Sequence, residues 1–175
     1  MNFANESNLT RVLALSQWEK VVMTLVVACC TPPLFHTIPF LAGPELGMRW
    51  LPIFYAPLMA CVLFRPHVSI VVGVCAPLVN HVLFGMPNDR VLPGLIFELV
   101  VFNAILAAIN ARERVRGWHV VLIFIMVKSF SLLVFSGSLE MVVARTGYAL
   151  LMAWPGILIL AVLAEIGGRY MQRTD

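Results

Sequence analysis

Six apolar runs follow one another along this chain with only short polar interruptions, and that pattern restricts the fold more than any other feature. The runs cover about Val21–Phe40, Trp50–Phe64, Val68–Phe84, Val91–Ala111, Trp118–Phe135 and Tyr148–Ile166. A helix needs about 20 apolar residues to cross the roughly 30 Å hydrocarbon core of a bilayer. Inside that core backbone polar groups have no water to bond, so the spanning element must satisfy itself, as a helix does. The expectation is an all-α integral membrane protein, with six transmembrane helices in one bundle and a single membrane domain over residues 1–175. The second and third runs are short, and tilt or a locally thin bilayer would accommodate them.

Composition supports this reading. The chain is 61% hydrophobic and 12% charged, with a mean hydropathy of +0.91, whereas soluble domains carry about 25% charged residues. Six spans in 175 residues leave no room for a soluble ATPase, so any energy source is expected from a partner or a gradient. The opening "MNFANESNLTRVLALSQWEK" lacks a basic n-region, and Pro32-Pro33 follow the first apolar run where a signal peptide would have a small-residue cleavage site. Cys29, Cys30, Cys61 and Cys75 lie within apolar runs without a C-x-x-C pair, which predicts buried free thiols. The net charge of +3 is spread over the loops and does not suggest a nucleic-acid partner. No internal repeat is visible.

Lysine and arginine set the orientation. With the N-terminus inside, the inner segments hold Arg11, Lys20, Arg65, Arg112, Arg114, Arg116, Arg169 and Arg173, and the outer loops hold Arg49, Arg90 and Arg145. This bias predicts that both termini are cytoplasmic. The inner "ARERVRG" then reads as a solvated loop. The polar crown from Asn80 to Arg90 falls on the outer face, together with the first loop, which carries His36, Glu45 and Arg49.

Two ionisable side chains, Glu98 and Lys128, lie deep in apolar runs, where an isolated charge costs about 2.5–3.5 kcal/mol or more. Counting 1.5 Å per residue, Glu98 lies about 10 Å below the outer start of its helix and Lys128 about 15 Å above the inner start of its own. Long side chains can bridge the remaining difference. The pair can therefore be a structural bond between neighbouring helices, or Glu98 can face a cavity and touch a polar solute. Asn80 and His81 are about 100° apart on a helix, so one faces the bundle and the other the interface. His81 has no second ligand at i+3 or i+4, which argues against a metal site. Asn103 reads as hydrogen-bonding glue between helices. Trp154-Pro155-Gly156 is expected to break or kink the sixth span, and broken spans beside polar loops commonly build membrane binding sites. No nucleophile elbow, H-E-x-x-H or phosphate-cradling loop occurs, so neither an enzyme nor a cofactor is expected.

The segment Trp50–Ile109 resembles the substrate-binding S components of energy-coupling factor (ECF) transporters. The resemblance rests on Pro52 and Pro57 in the second span, the Arg65-Pro66 turn, and the G-x-x-x-P-L stretch Gly73–Leu78. It continues through Gly85-Met86-Pro87, Pro93 and Glu98. It implies a six-helix binder in a prokaryotic cell membrane that captures a vitamin or related micronutrient from outside. It also implies a transmembrane coupling subunit and two ATPase subunits as partners. The residues it carries over are Asn80, His81, Asn88 and Glu98, with Met86 and Pro87 shaping the loop. His36 in the first loop and Trp154 at the sixth-span proline complete the candidate solute-binding set. The family's first span often carries a docking face of small residues, and here Thr24 and Ala28, followed by Cys29 and Cys30, stand in its place. The alternatives are a stand-alone carrier without an ATPase module, and a membrane scaffold or assembly protein whose polar residues are structural.

Overall fold

The structure, a computed structural model, describes residues 15–37, 46–136 and 139–171, with side chains at all of these except 36, 46, 136 and 139–141. The described residues form seven helices and no strand. They are α1 (Gln17–Thr37), α2 (Leu46–Trp50), α3 (Pro52–Leu63), α4 (Pro66–Phe84), α5 (Leu92–Asn110), α6 (Gly117–Ser136) and α7 (Leu139–Met171). Five of them, α1, α4, α5, α6 and α7, are long and apolar enough to cross a membrane.

The second expected span takes a different form. It is two short helices, α2 and α3, broken at Leu51, whose backbone is left-handed (φ 51, ψ 40). The break has a local cause: the ring of Pro52 disfavours a right-handed helical conformation at the residue before it. Tyr55 Oη then donates to the Trp50 carbonyl across the break, and Phe35 of α1 stacks at a tilt on Trp50 and Tyr55, 6.3 and 6.0 Å between ring centres.

α3, PIFYAPLMACVL, carries no charge on any face, and a helix that is apolar all round belongs inside. It is the hub of the bundle, packed against α1, α4, α5 and α7. Phe54, Leu58 and Cys61 meet Leu99, Phe102 and Leu106 of α5, Phe124 of α6 and Leu160 of α7 in one core. A second core of small residues, Ala28, Ala56, Ala60 and Ala76 with Val68 and Val72, brings α1, α3 and α4 close together, which is how helices pack where lipid supplies no hydrophobic drive. Thr24 and Ala28, the residues expected on a docking face, are buried inside the bundle at 6% and 0% exposure.

The helix ends follow their sequences. Ser16 and Glu19 form a reciprocal cap on α1: Ser16 N donates to Glu19 Oε2 (2.7 Å) and Glu19 N to Ser16 Oγ (3.3 Å). Prolines open α3, α4 and α5 at their first or second positions, where the missing N–H costs nothing. Gly85 closes α4 in the left-handed conformation, its N–H bonded to the His81 carbonyl.

Three expectations need correction. Pro155 does not break its helix: α7 runs through it, with Pro155 buried in the bundle. The loop expected before the sixth span is largely helix, because α7 begins at Leu139 and takes in Arg145. Finally, "ARERVRG" is solvated only in part: Ala111, Arg112, Glu113 and Arg116 are exposed, while Arg114, Val115 and Gly117 are wholly or partly buried against the bundle. Val115 is completely buried, Arg114 pairs with Glu165 of α7, and His119 Nδ1 accepts the Arg116 N–H at 2.9 Å. Glu165 also reaches Arg169 (3.1 Å) and the Gly117 N–H (3.4 Å). A Cβ at Gly117 or Gly168 would lie 2.8 Å from the carbonyl oxygen of Ala161 or Val115 respectively. Glycine at both places lets this turn lie directly on α7.

Candidate functional site

The bundle end where α1 finishes, α2 begins and α4 turns into α5 encloses a cavity of about 890 Å³. Its position follows from the break at Leu51. With α3 only 12 residues long, the longer neighbours extend past it and leave space above its N-terminus. Leu51, Pro52, Ile53 and Phe54 form the floor on that side, with Pro32 and Pro33 of α1 and Met48 of α2 alongside. Phe84, Met86, Pro87 and Asn88 come from the end of α4 and its turn, and Phe124, Ala149 and Ala153 from α6 and α7. Among the described residues the wall is mostly apolar, and Asn80, Asn88, Glu98 and Lys128 are its polar members. Ligand pockets of about 300–1,000 Å³ commonly combine such a wall with a few placed polar groups.

Glu98 and Lys128 meet across the α5–α6 contact. Lys128 Nζ donates to both carboxylate oxygens, at 2.9 and 3.1 Å. The helices are antiparallel neighbours, so the two residues sit about 9 and 12 Å from the same end of the bundle, counted along their helices. The Glu98 side chain is 8% exposed and that of Lys128 25%, so the pair is buried on one side and reaches the cavity on the other. Both alternatives read from the sequence thus find their geometry at one place: an interhelical bond that is also part of a cavity wall.

Asn80 faces the bundle and His81 the turn that follows α4. Asn80 is 2% exposed and its Nδ2 donates to the Ala76 carbonyl at 2.9 Å, while its Oδ1 is buried without a hydrogen-bond partner. His81 does not line the cavity. It holds the following turn instead: its Nδ1–H donates to the Pro87 carbonyl (2.8 Å), and Nε2 lies 3.2 Å from Asp89 Oδ1. Asn88 Oδ1 accepts the Val91 N–H (3.1 Å) and starts α5. Trp154 is 56% exposed and points away from the cavity wall. His36 lies in the last turn of α1, and its side chain is outside the described residues.

Asn103 is completely buried, bonds back to the Leu99 carbonyl (2.7 Å) and leaves its own Oδ1 without a partner. Gly73 makes room for it: a Cβ there would lie 3.3 Å from Asn103 Nδ2. Asn103 therefore packs between α4 and α5 below the cavity and forms no side-chain bond between them. Among the described residues no group of three or more His, Cys, Asp or Glu side chains could hold a metal ion. All four cysteines are free thiols, but Cys30 is exposed on α1 and only Cys61 is fully buried.

Sequence reasoning did not single out Phe54, Phe84, Phe124, Met48, Ala149 or Ala153 as wall residues. Periodicity could have placed each on an inner face, but nothing in a single sequence says which inner faces enclose a void.

Comparison with protein-family models, with curated proteins and with solved structures found no match to this chain.

Proposed function

We propose that this protein is a substrate-binding membrane subunit of ECF type, which captures a vitamin or related micronutrient from the outer face for ATP-driven uptake with partner subunits. The observation that carries the reading is the cavity itself, of about 890 Å³ at one end of the bundle, with three of the candidate residues, Asn80, Asn88 and Glu98, on its wall. The motif resemblance over Trp50–Ile109 supports it, because the same stretch supplies the floor, the turn and the carboxylate. In this reading α2 and α3 together serve as the sixth, broken membrane element, and the cavity end faces outward with both termini in the cytoplasm. Contact with a coupling subunit then uses a face other than Thr24 and Ala28.

Orientation is tested by cysteine labelling in intact cells. A cysteine at position 88 should react with a membrane-impermeant maleimide, and one at position 5 should not; the reverse pattern places the cavity inside. Function is tested by expressing the tagged protein in a prokaryote with an ECF module and purifying it gently. ATPase and coupling subunits in the eluate, and a retained small molecule in native mass spectrometry, are the expected result. A bound solute without the subunits would indicate a stand-alone carrier. Neither solute nor subunits would indicate a scaffold.

A further inference from the structure

The bundle end opposite the cavity gathers more basic side chains than acidic ones. Asn110 Nδ2 of α5 donates to the Cys61 carbonyl of α3 (3.1 Å), and Lys20 of α1 lies over the Phe64 ring at 5.6 Å. Arg114 of the α5–α6 turn meets Glu165 of α7, so these helices end together. Among the described residues this end carries Lys20, Arg65, Arg112, Arg114, Arg116 and Arg169 against Glu19, Glu113 and Glu165. The three carboxylates are already engaged. Glu19 caps α1, Glu113 lies 3.5 Å from His119 Nε2, and Glu165 is shared by Arg114, Arg169 and the Gly117 N–H. Arg112 and Arg116 are exposed, and among the described residues neither has a carboxylate within ion-pair distance.

These guanidiniums stand at the ends of two exposed apolar stripes. On α6, Trp118, Leu122 and Met126 recur every four residues and share an outward face, and Arg116 precedes them in the turn. On α7, Leu158, Val162 and Ile166 do the same, and Arg169, its side chain 71% exposed, follows one turn later. In a bilayer such stripes meet acyl chains and their ends meet headgroups. Tryptophan suits that boundary, with an apolar ring and a polar N–H. A soluble phosphate would use the guanidiniums and leave the stripes unmatched, whereas a phospholipid uses both.

Charge decides which phospholipid. Phosphatidylcholine carries its own cation beside its phosphate, while phosphatidylglycerol carries only the anion and gains from Arg112 and Arg116 the charge it lacks. Each basic side chain near the surface adds severalfold to the affinity for anionic lipid.

We propose that the α5–α6 turn and the end of α7 form a binding site for an anionic phospholipid, its headgroup on Arg112, Arg116 and Arg169 and Trp118 at the boundary. Glu165 joins the two segments by tying the turn to Arg169. The site is independent of the cavity, of ATPase partners and of which end faces the cytoplasm.

The test gives the full chain in detergent equimolar phosphatidylglycerol and phosphatidylcholine with identical acyl chains, and counts lipid adducts by native mass spectrometry. Phosphatidylglycerol adducts should outnumber phosphatidylcholine adducts about tenfold. Arg112→Gln and Arg116→Gln should each lower that ratio about threefold, and together bring it close to one. Melting temperatures should stay at the wild-type value, since both side chains are exposed. Arg112→Lys/Arg116→Lys should keep most of the preference, because the charge remains. Arg90→Gln, exposed at the cavity end, should leave it unchanged. Equal adducts on the wild type, a preference that survives both glutamines, or one lost equally in Arg90→Gln would each overturn the proposal. Displacement of phosphatidylglycerol by millimolar glycerol 3-phosphate would overturn it too, because the arginines would then be reading phosphate without the chains.

Discussion

Glu98→Gln is expected to cost the bundle about 3 kcal/mol, and Lys128→Met in the same chain to restore most of that loss. The reason is asymmetric. As a pair, Glu98 and Lys128 satisfy each other at 2.9 and 3.1 Å between α5 and α6. Removing one charge leaves the other in a wall where the carboxylate side chain is only 8% exposed and, among the described residues, no second opposite charge lines the cavity. Removing both leaves two uncharged side chains, which an apolar setting tolerates. Thermal unfolding of the wild type, both single variants and the double variant in one detergent gives the coupling directly. A double variant that melts no higher than Glu98→Gln would show that the pair does not hold α5 against α6.

In α7, two glycines nine residues apart should respond to alanine with opposite signs. A Cβ on Gly156 would lie 2.7 Å from both the carbonyl carbon and oxygen of Trp50, and 3.0 Å from the Arg49 oxygen. Those atoms are backbone at the α2–α3 break and cannot rotate away, so Gly156→Ala must push the two segments apart. Such overpacking costs about 1–3 kcal/mol, and Gly156→Val should cost more. Gly147 has nothing within 4 Å of the same position. There alanine only adds helix propensity, a gain of up to about 1 kcal/mol. Melting temperatures of the two variants, measured side by side, check the contrast. The Gly156 variant should also enlarge or deform the cavity, because Leu51 at the break is part of its floor. A Gly156→Ala protein as stable as the wild type would mean that α7 does not press on the break.

The sequence by itself determined that the chain is helical and suited to a membrane, because apolar run length is a local quantity that each segment carries alone. Its long apolar runs became α1, α4, α5, α6 and α7 within a few residues at most ends. It also marked Glu98 and Lys128 as a possible pair, since an isolated charge at that depth is costly and helix rise sets depth. Asn80 was separable from its neighbour His81 by helical angle alone. The α2–α3 break was half visible: Pro52 announced a change of direction, but the close approach of Gly156 to the Trp50 backbone beside it comes from the other end of the chain. The length of α7 was not legible. Arg145, Thr146 and Gly147 read as loop residues, and packing of α7 along α6 and α3 overrides that local preference. The same is true of Arg114, Val115 and Gly117 in "ARERVRG", whose packing depends on Glu165, Ala161 and Gly168 about 50 residues away in sequence. Only the tertiary structure decided that Asn80, Asn88 and Glu98 share one cavity and that Trp154 lies outside it. A cavity is space left between segments of unequal length, and no segment records in its own residues how far its neighbours reach.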